Sequence, residues 1–421
     1  MGKFSKSKFT LDTFWLIGAQ LIYILSGLII NLIIAGSFGA TELGIFNQTL
    51  GYYAVLASIF SLGLNNTLIK KISSINEEQL GDRKEAILLS TNLFLTTIIS
   101  CIFTLIIIYL AKNQAALFSS DALAEALIIP FYSLPFYNLN KNFMAYFTGK
   151  RRQKDFSLIR TLRWTLVITY IIGALLLKQS LNQLLYCFLF AESILLVYCL
   201  IKTRSILSFN IKWSEAIDNL AFGLKSFTSE LFAVFNNKFD LLILGYFLSN
   251  YEMGIYSFFI FFAKSLYIFP GILQQNLNPI VSKLWDENKI EELQQKVDQI
   301  RKINSIIILA QSAMIGIIYY VLILFFKQDF KDSYPYLVVS LVGIIPSALV
   351  YWSGSMLIMA GKLKENIYRT FLIMALSVSA TFILSYLYGL WGATLAVCAA
   401  SIIAFFILKI YVRKSLDIKI I

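Results

Sequence analysis

The sequence predicts an all-α polytopic membrane protein with twelve transmembrane helices, arranged as two six-helix lobes related by an internal parallel repeat. Hydrophobic residues make up 58% of the chain and charged residues only 14%, whereas a soluble domain carries about 25% charged residues. Apolar stretches long enough to cross a bilayer follow one another along the chain. Short motifs of the first half recur in the second half, in the same order and at a nearly constant offset close to half the chain length.

Each of twelve apolar stretches reaches the ~20 residues that a helix needs to cross the hydrocarbon core of a bilayer. In the first half, the predicted helices cover residues 11–35, 43–64, 86–111, 122–147, 158–178 and 181–203. In the second half, they cover residues 217–247, 253–282, 303–326, 334–358, 365–388 and 390–412.

Basic residues alternate between the two sides of the predicted membrane. With the N-terminus in the cytoplasm, 30 of the 36 Lys and Arg residues fall on the cytoplasmic side and 4 fall on the opposite side. The remaining two, Lys238 and Lys264, lie inside predicted spans. This bias predicts a multi-pass protein of the cytoplasmic (inner) membrane with both termini in the cytoplasm. It also accounts for the formal net charge of +12 without a nucleic-acid partner, since a nucleic-acid patch would be concentrated on one domain.

The internal repeat is visible in three ordered matches. Residues 42–46 (ELGIF) recur as residues 252–256 (EMGIY). Pro135 recurs as Pro346, and Gly149-Lys150 recurs as Gly361-Lys362. Because six helices per half is an even number, both halves enter the membrane in the same sense, and the repeat is therefore parallel. The predicted lobes are residues 1–207 with helices one to six, and residues 208–421 with helices seven to twelve.

The residue inventory argues against enzymatic chemistry. The chain has no His, which removes imidazole bases, His proton relays and most metal sites. It has no P-loop, GxGxxG, CxxC or GxSxG motif, and its four Cys fall in predicted spans, where they are expected to be small core residues. The predicted external loops have about ten residues or fewer, judged against the spans above. We therefore predict no enzymatic activity, no catalytic residue, no cofactor and no metal site.

Polar side chains inside the predicted spans are the remaining candidates for function. A Lys or Asp at the centre of a transmembrane helix costs about 2.5–3.5 kcal/mol on insertion scales, so it needs a partner, a wet cavity or a function. The predicted substrate-binding residues are Lys238, Lys264, Asn237, Asn31, Gln20 and Asn47. The predicted coupling-ion residues are Glu230 and Asp240.

Helical geometry restricts how the charged residues of predicted helix seven are used. At 100° per residue, Lys238 and Asp240 point about 200° apart, and Glu230 lies about 80° from each. A single cavity can therefore be lined by Glu230 together with either Lys238 or Asp240, but not by all three residues. Either one charge pairs with a neighbouring helix, or the helix unwinds locally at Asn236-Asn237. For each charged residue, a structural ion pair and a functional cavity site remain alternatives.

Ordered motifs along both halves resemble a known family of membrane proteins. In the second half they are NKFDLLILGYF at 237–247, EMGIY at 252–256 and NPIVS at 278–282. In the first half they are FG at 38–39, LGIF at 43–46, GL at 63–64 and GKRR at 149–152. This ordered set resembles the polysaccharide biosynthesis (oligosaccharide flippase) branch of the multidrug/oligosaccharidyl-lipid/polysaccharide exporter superfamily, and the resemblance covers nearly the whole chain.

The resemblance implies two six-helix lobes around a central cavity that opens alternately to each side of the membrane. The implied cargo is a lipid-linked oligosaccharide, an undecaprenyl-pyrophosphate-linked repeat unit for O-antigen, capsule or exopolysaccharide synthesis. The resemblance also implies that related flippases of the peptidoglycan precursor have a cavity lined with several Arg. Predicted helices one, two, seven and eight of this chain have no Arg at membrane depth, where they offer only Lys238 and Lys264. The implied partners are this cargo, membrane lipids and a polymerase or chain-length protein, with no nucleic acid.

Two other function classes are compatible with parts of the pattern. An ion-coupled small-molecule exporter of the multidrug branch would have the same fold and an acidic ion site. A membrane polysaccharide polymerase would need a large external loop with catalytic residues, and the short predicted external loops count against it.

Overall fold

The computed structural model describes residues 6–75, 81–207, 211–326 and 328–420, and the regular structure of these residues is helical throughout. The helices up to residue 203 are α1 (Lys6–Phe38), α2 (Ala40–Ser61), α3 (Leu64–Ser73), α4 (Gly81–Asn113), α5 (Asp121–Phe131), α6 (Leu134–Gly149), α7 (Gln153–Leu176), α8 (Leu181–Leu184) and α9 (Tyr186–Thr203). The later helices are α10 (Trp213–Leu244), α11 (Asn250–Lys264), α12 (Ile268–Asp286), α13 (Ile290–Phe325), α14 (Tyr334–Val350), α15 (Met356–Met359) and α16 (Leu363–Leu416).

Several of these helical segments are long and apolar enough to cross a membrane. Within the described ranges there are nine of them, or ten if the bent pair α5 and α6 forms one span. The predicted class, an all-α polytopic membrane protein, is therefore confirmed, because backbone amides can be satisfied inside a bilayer only by helices or closed barrels. The count of twelve spans stays a prediction. Part of the difference lies in α16, which covers predicted helices eleven and twelve and is kinked at Gly389 (φ 53°, ψ −128°).

Proline divides the segment that the sequence predicts as one helix, residues 122–147. Pro130 lies in the last turn of α5 and Pro135 lies in the first turn of α6, and the two helices are bent by 50°. Proline lacks the amide hydrogen that would continue the α-helical pattern, so two prolines close together favour a break between them.

The chain forms two compact units, each with its own apolar core. The first unit is Met1–Ser37 with Ile45–Lys238, and the second is Phe38–Gly44 with Phe239–Ile421. One core of the first unit includes the fully buried Phe143, Phe147 and Ile159. A core of the second unit joins the N-terminal part of α13, through Leu293 and Val297, to the C-terminal end of α16. The predicted lobe boundary between residues 207 and 208 stays a prediction.

Within the second unit, the first turns of α2 and α11 cross with their backbones in contact. A Cβ atom added at Gly254 would lie 1.8 Å from the Ala40 carbonyl oxygen, and one added at Gly44 would lie 2.0 Å from the Asn250 carbonyl oxygen. Only glycine permits such an approach. The offset that carries residues 42–46 onto 252–256 also carries positions 40 and 44 onto 250 and 254, so the repeat relates the two contacts to each other. This reciprocity supports the predicted internal repeat.

Two positions with positive φ also recur at nearly the offset of the predicted repeat. Arg151 (φ 54°) precedes α7, and Gly361 (φ 74°) occupies the corresponding position before α16. Lys178 (φ 53°), just after α7, has its counterpart in Gly389 (φ 53°), at the kink of α16. Positive φ values therefore recur at offsets of 210 and 211 residues.

The glycine crossing predicts a strong effect of a single methyl group. Gly254→Ala is expected to destabilise the protein by about 1–3 kcal/mol, because α11 would have to move away from Ala40. Thermal unfolding of the purified protein in detergent measures this change. Gly173→Ala in α7 is the matched control, because in the described part of the structure an added Cβ would meet no atom within 4 Å beyond the neighbouring backbone of its own helix. Equal melting temperatures for both variants would contradict the importance of the crossing.

Candidate functional site

Two of the predicted cargo-binding amides bind each other. Asn47 on α2 donates from Nδ2 to Asn31 Oδ1 on α1 at 2.9 Å, and Asn31 Nδ2 donates to the Gly27 carbonyl oxygen at 2.8 Å. Both side chains are buried. A buried amide without a partner is costly, so this pair fastens α1 to α2 in the present conformation. Gln20 is partly buried and, by helical spacing, lies on the same broad face of α1 as Asn31.

Asp240 and Lys264, which the sequence assigns to different tasks, form one ion pair in the second unit. Lys264 Nζ lies 2.6 Å from Asp240 Oδ2, and the Tyr256 hydroxyl donates to the same oxygen at 3.0 Å. The backbone amide of Leu241 donates to Asp240 Oδ1 at 3.0 Å. The carboxylate is thus buried among donors, which compensates the cost of burying its charge.

Lys264 is the more accessible partner of this ion pair. Its side chain is 42% exposed, while that of Asp240 is 8% exposed. An ammonium group on a flexible stem can move between acceptors, whereas the carboxylate is fixed by its other donors. The pair can therefore offer a cation to an incoming anion while the acid stays in place.

The other predicted residues of this region are less fully described. Lys238 on α10 is partly buried and takes part in a polar interaction. The side chains of Asn237 and Glu230 lie outside the described part of the structure.

The sequence interpretation missed a buried ion pair in the first unit. Arg163 of α7 places its Nε 2.6 Å from Glu192 Oε1, and the two side chains are 11% and 3% exposed. Asn140 Nδ2 donates to Glu192 Oε2 at 2.8 Å, and the guanidinium lies 4.7 Å from the ring centre of Tyr137. This network joins α6, α7 and α9. The signal in the sequence was Glu192 in the middle of predicted helix six, which needed a cationic partner.

A second arginine of α7, Arg160, lies against α1. Its guanidinium is 4.9 Å from the ring centre of Tyr23, and the residue is partly buried. Lys154, in the first turn of α7, lies 5.4 Å from the ring centre of Trp15 and is exposed. In the charge count, Arg160 and Arg163 were assigned to a cytoplasmic segment. They also lie near the start of the predicted helix 158–178, and the helix Gln153–Leu176 that contains them is long and apolar enough to cross a membrane.

The described ranges contain no cluster of metal ligands. No three His, Cys, Asp or Glu side chains come close enough there to hold an ion. The ionic groups described above are instead satisfied by side chains of opposite charge, by hydroxyl and amide groups, or by aromatic rings.

The buried ion pair of the first unit predicts a large stability effect. Removing one partner, as in Glu192→Ala, is expected to cost about 3–5 kcal/mol, because Arg163 would remain as an uncompensated buried charge. Thermal unfolding and size-exclusion profiles of the purified protein measure the loss. Arg152→Ala is a suitable control, because its partner Asp155 also pairs with Lys202 and Arg152 itself is 40% exposed. A Glu192→Ala protein as stable as this control would contradict a structural role.

Comparison with known proteins places these observations in a family. The family model described as "Polysaccharide biosynthesis protein" matches residues 9–282. No significant match is found among curated protein sequences.

Solved structures with similar folds cover nearly the whole chain. The lipid II flippase MurJ, in an inward closed conformation, matches with a TM-score of 0.75 and 14% identity over 96% of this chain and 87% of its own. A multidrug resistance MATE family transporter of the MOP superfamily, in an inward-facing conformation, matches with a TM-score of 0.72 and 14% identity over 95% of both chains.

A MOP superfamily transporter from Pyrococcus furiosus matches with a TM-score of 0.60 and 16% identity over 95% of this chain and 94% of its own. At these identities the structural matches establish the fold alone. The family model covers well over half of the 421 residues. The chain therefore belongs to the polysaccharide biosynthesis protein family, as its motifs indicate, and it has the fold of MOP superfamily transporters.

Proposed function

We propose that this protein translocates a lipid-linked oligosaccharide across the cytoplasmic membrane by alternating access. The cargo would be an undecaprenyl-pyrophosphate-linked repeat unit for O-antigen, capsule or exopolysaccharide synthesis. Membership of the polysaccharide biosynthesis family supports this assignment, and one solved protein of the same fold is a lipid II flippase. The observation that carries the proposal is the Lys264 ammonium, partly exposed within a span and held on the buried Asp240.

A flippase must offer its cargo a polar path while the lipid tail stays in the bilayer. The diphosphate of the cargo is anionic, and Lys264 is a mobile cation that already has a compensating carboxylate. Binding of the diphosphate would transfer the ammonium from Asp240 to phosphate oxygens. Lys238, on the helix that carries Asp240, would add a second positive charge.

The glycan part of the cargo needs neutral hydrogen-bonding groups. Asn31 and Asn47 would supply amides after their mutual hydrogen bond opens, and Gln20 and Asn237 would supply two more. Amides suit sugars because each one both donates and accepts. Glu230 or Asp240 would bind a coupling cation, with Asp240 released for this role when Lys264 moves to the cargo.

The proposed setting follows from the alternation of basic segments. Both termini would lie in the cytoplasm, and the protein would act in the cytoplasmic membrane without catalysing a covalent reaction. A polymerase or chain-length protein would receive the translocated unit.

A second candidate is an ion-coupled small-molecule exporter. The structural similarity to a MATE family multidrug transporter favours it, as does the buried acidic residue Asp240. A deletion strain separates the two functions. Loss of surface polysaccharide with unchanged drug sensitivity supports the flippase, whereas drug hypersensitivity with normal polysaccharide supports the exporter.

Substitution of the two membrane-depth lysines tests the assigned cations. In a deletion strain complemented with Lys238→Ala plus Lys264→Ala, surface polysaccharide is expected to fall well below the wild-type level, because the cargo loses both charges. Immunoblots of surface polymer, normalised to protein level in the membrane, measure the effect. Lys283→Ala is the control, since this lysine is 73% exposed at the end of α12. Unchanged polymer in the double variant would remove both lysines from the mechanism.

Variants of the Asp240–Lys264 ion pair distinguish a role in stability from a role in transport. Asp240→Leu alone is expected to lower the melting temperature more than Asp240→Leu with Lys264→Met, because the double variant leaves no unpaired charge. The double variant is nevertheless expected to lose transport by about tenfold or more, since a charge-assisted contact of about 1.5–3 kcal/mol disappears. A double variant that folds and supports normal polymer would show that the pair is only structural.

A further inference from the structure

One arginine of the first unit differs from its basic neighbours in how its charge is satisfied. Arg152 and Lys202 share Asp155, at 2.7 and 3.3 Å, and Arg163 pairs with Glu192. Arg160 lies one turn before Arg163 on the same helix. Within the ranges that the structure describes, no carboxylate lies at ion-pair distance from Arg160, whose contact is the ring of Tyr23.

At the position of Arg160, a guanidinium charge without a carboxylate partner costs free energy. Arg160 lies two turns into the segment Gln153–Leu176, about 10 Å along the helix from its start. Charged side chains inside a span ordinarily pair with one another, line a water-filled cavity or belong to a pathway. A cation–π contact engages the charge but brings no carboxylate to the five N–H donors of the guanidinium. Arg160 is therefore equipped for an anionic ligand.

The surroundings of Arg160 place it beside a polar face of α1. Tyr23, which lies under the guanidinium, is three residues from Gln20 and eight from Asn31, spacings that put all three on one broad side of the helix. Tyr23 is 38% exposed and Arg160 is only partly buried. A ligand that reaches this face therefore meets a guanidinium, a phenol hydroxyl and an amide.

A planar guanidinium without a carboxylate partner matches the paired oxygens of phosphate groups. The exposed Lys154, in the first turn of the same helix, is the cation expected to contact an anionic lipid that stays at the membrane surface. A cation about 9 Å deeper along the helix suits a head group that enters the membrane. This depth favours the diphosphate of a translocated cargo over a stationary phospholipid.

We propose that Arg160, supported by Tyr23 and Gln20, forms a subsite for the diphosphate of an isoprenoid-linked cargo. The assignment rests on the proposed function and deepens it, because it names a residue for the part that all such cargoes share. It also names an arginine in addition to the two lysines that the sequence interpretation assigned.

Direct binding to the purified full-length protein tests the subsite. The probes are farnesyl diphosphate, farnesol as the uncharged analogue, and inorganic pyrophosphate as the head group alone, with affinity measured by titration in lipid nanodiscs. Arg160→Gln is expected to weaken farnesyl diphosphate binding about tenfold or more, the effect of losing a charge-assisted hydrogen bond. Inorganic pyrophosphate is expected to compete in the wild type, and farnesol is expected to bind Arg160→Gln and wild type alike.

Lys154→Gln is the matched control, because it removes a cation from the same helix that also lies over an α1 ring but at the helix start. It is expected to bind farnesyl diphosphate as the wild type does. Wild-type affinity in Arg160→Gln, equal weakening in both variants, or absence of pyrophosphate competition would each overturn the subsite. If Arg160→Gln does not fold, farnesyl diphosphate binding is measured with Arg160→Lys instead. Weaker binding by Arg160→Lys supports a bidentate contact between the guanidinium and the diphosphate, and wild-type binding overturns it.

A cellular comparison separates failure of the subsite from failure of the proposed function. A deletion strain that keeps its surface polysaccharide refutes the proposed function, whatever Arg160 binds. A deletion strain that loses polysaccharide but regains it fully with a folded Arg160→Gln variant, which also binds farnesyl diphosphate normally, refutes the subsite and leaves the function standing.

Discussion

The bilayer interior offers no water to satisfy polar groups, and most features of this protein follow from that constraint. Backbone amides are satisfied within helices, which explains the helical character of the described chain. Side chains obey the same requirement. Asn31 binds Asn47, Arg163 binds Glu192, and Lys264 binds Asp240. Each pair joins two helices, so polar groups that would be costly alone become the links that fix helix positions.

Close helix packing provides the second kind of link. Without a hydrophobic driving force between helices in lipid, contact between small residues lets backbones approach and gain van der Waals energy. Gly44 and Gly254 serve this purpose where the first turn of α2 crosses α11, and they belong to the motif that the two halves share. The same contact geometry at residues 44 and 254 is what the predicted repeat requires at this crossing.

The two buried ion pairs differ in how accessible their cation is. Arg163 and Glu192 are both almost fully enclosed and have additional partners, so exchange with a ligand would be costly. In the Lys264–Asp240 pair the cation is partly exposed while the acid is enclosed. Such asymmetry allows the cation to change partners without leaving the carboxylate fully unsatisfied, since Tyr256 still donates to it. Accessibility of one partner therefore distinguishes a candidate transport site from a structural brace.

The sequence by itself determined the class of fold, since composition and spacing of apolar segments reflect the thickness and chemistry of a bilayer. It also determined the family, because motifs such as residues 237–247 retain their order along the chain. Helix breaks were less accessible to sequence reasoning. The bend between α5 and α6 depends on how two prolines are accommodated. The helices α7 and α13 begin earlier in the sequence than their apolar content alone indicates.

Only the tertiary structure decided how the polar residues are paired. Asp240 and Lys264 are 24 residues apart, and Arg163 and Glu192 are 29 residues apart. At such separations along the chain, helical periodicity does not indicate which side chains are in contact. Helical geometry limits which side chains of one helix can share a face, but partners lie on other helices whose rotation is set by packing. For the same reason, the sequence offered Arg160 as one more cytoplasmic charge. Its position over Tyr23, beside the polar face of α1, became apparent only when α7 was placed against α1.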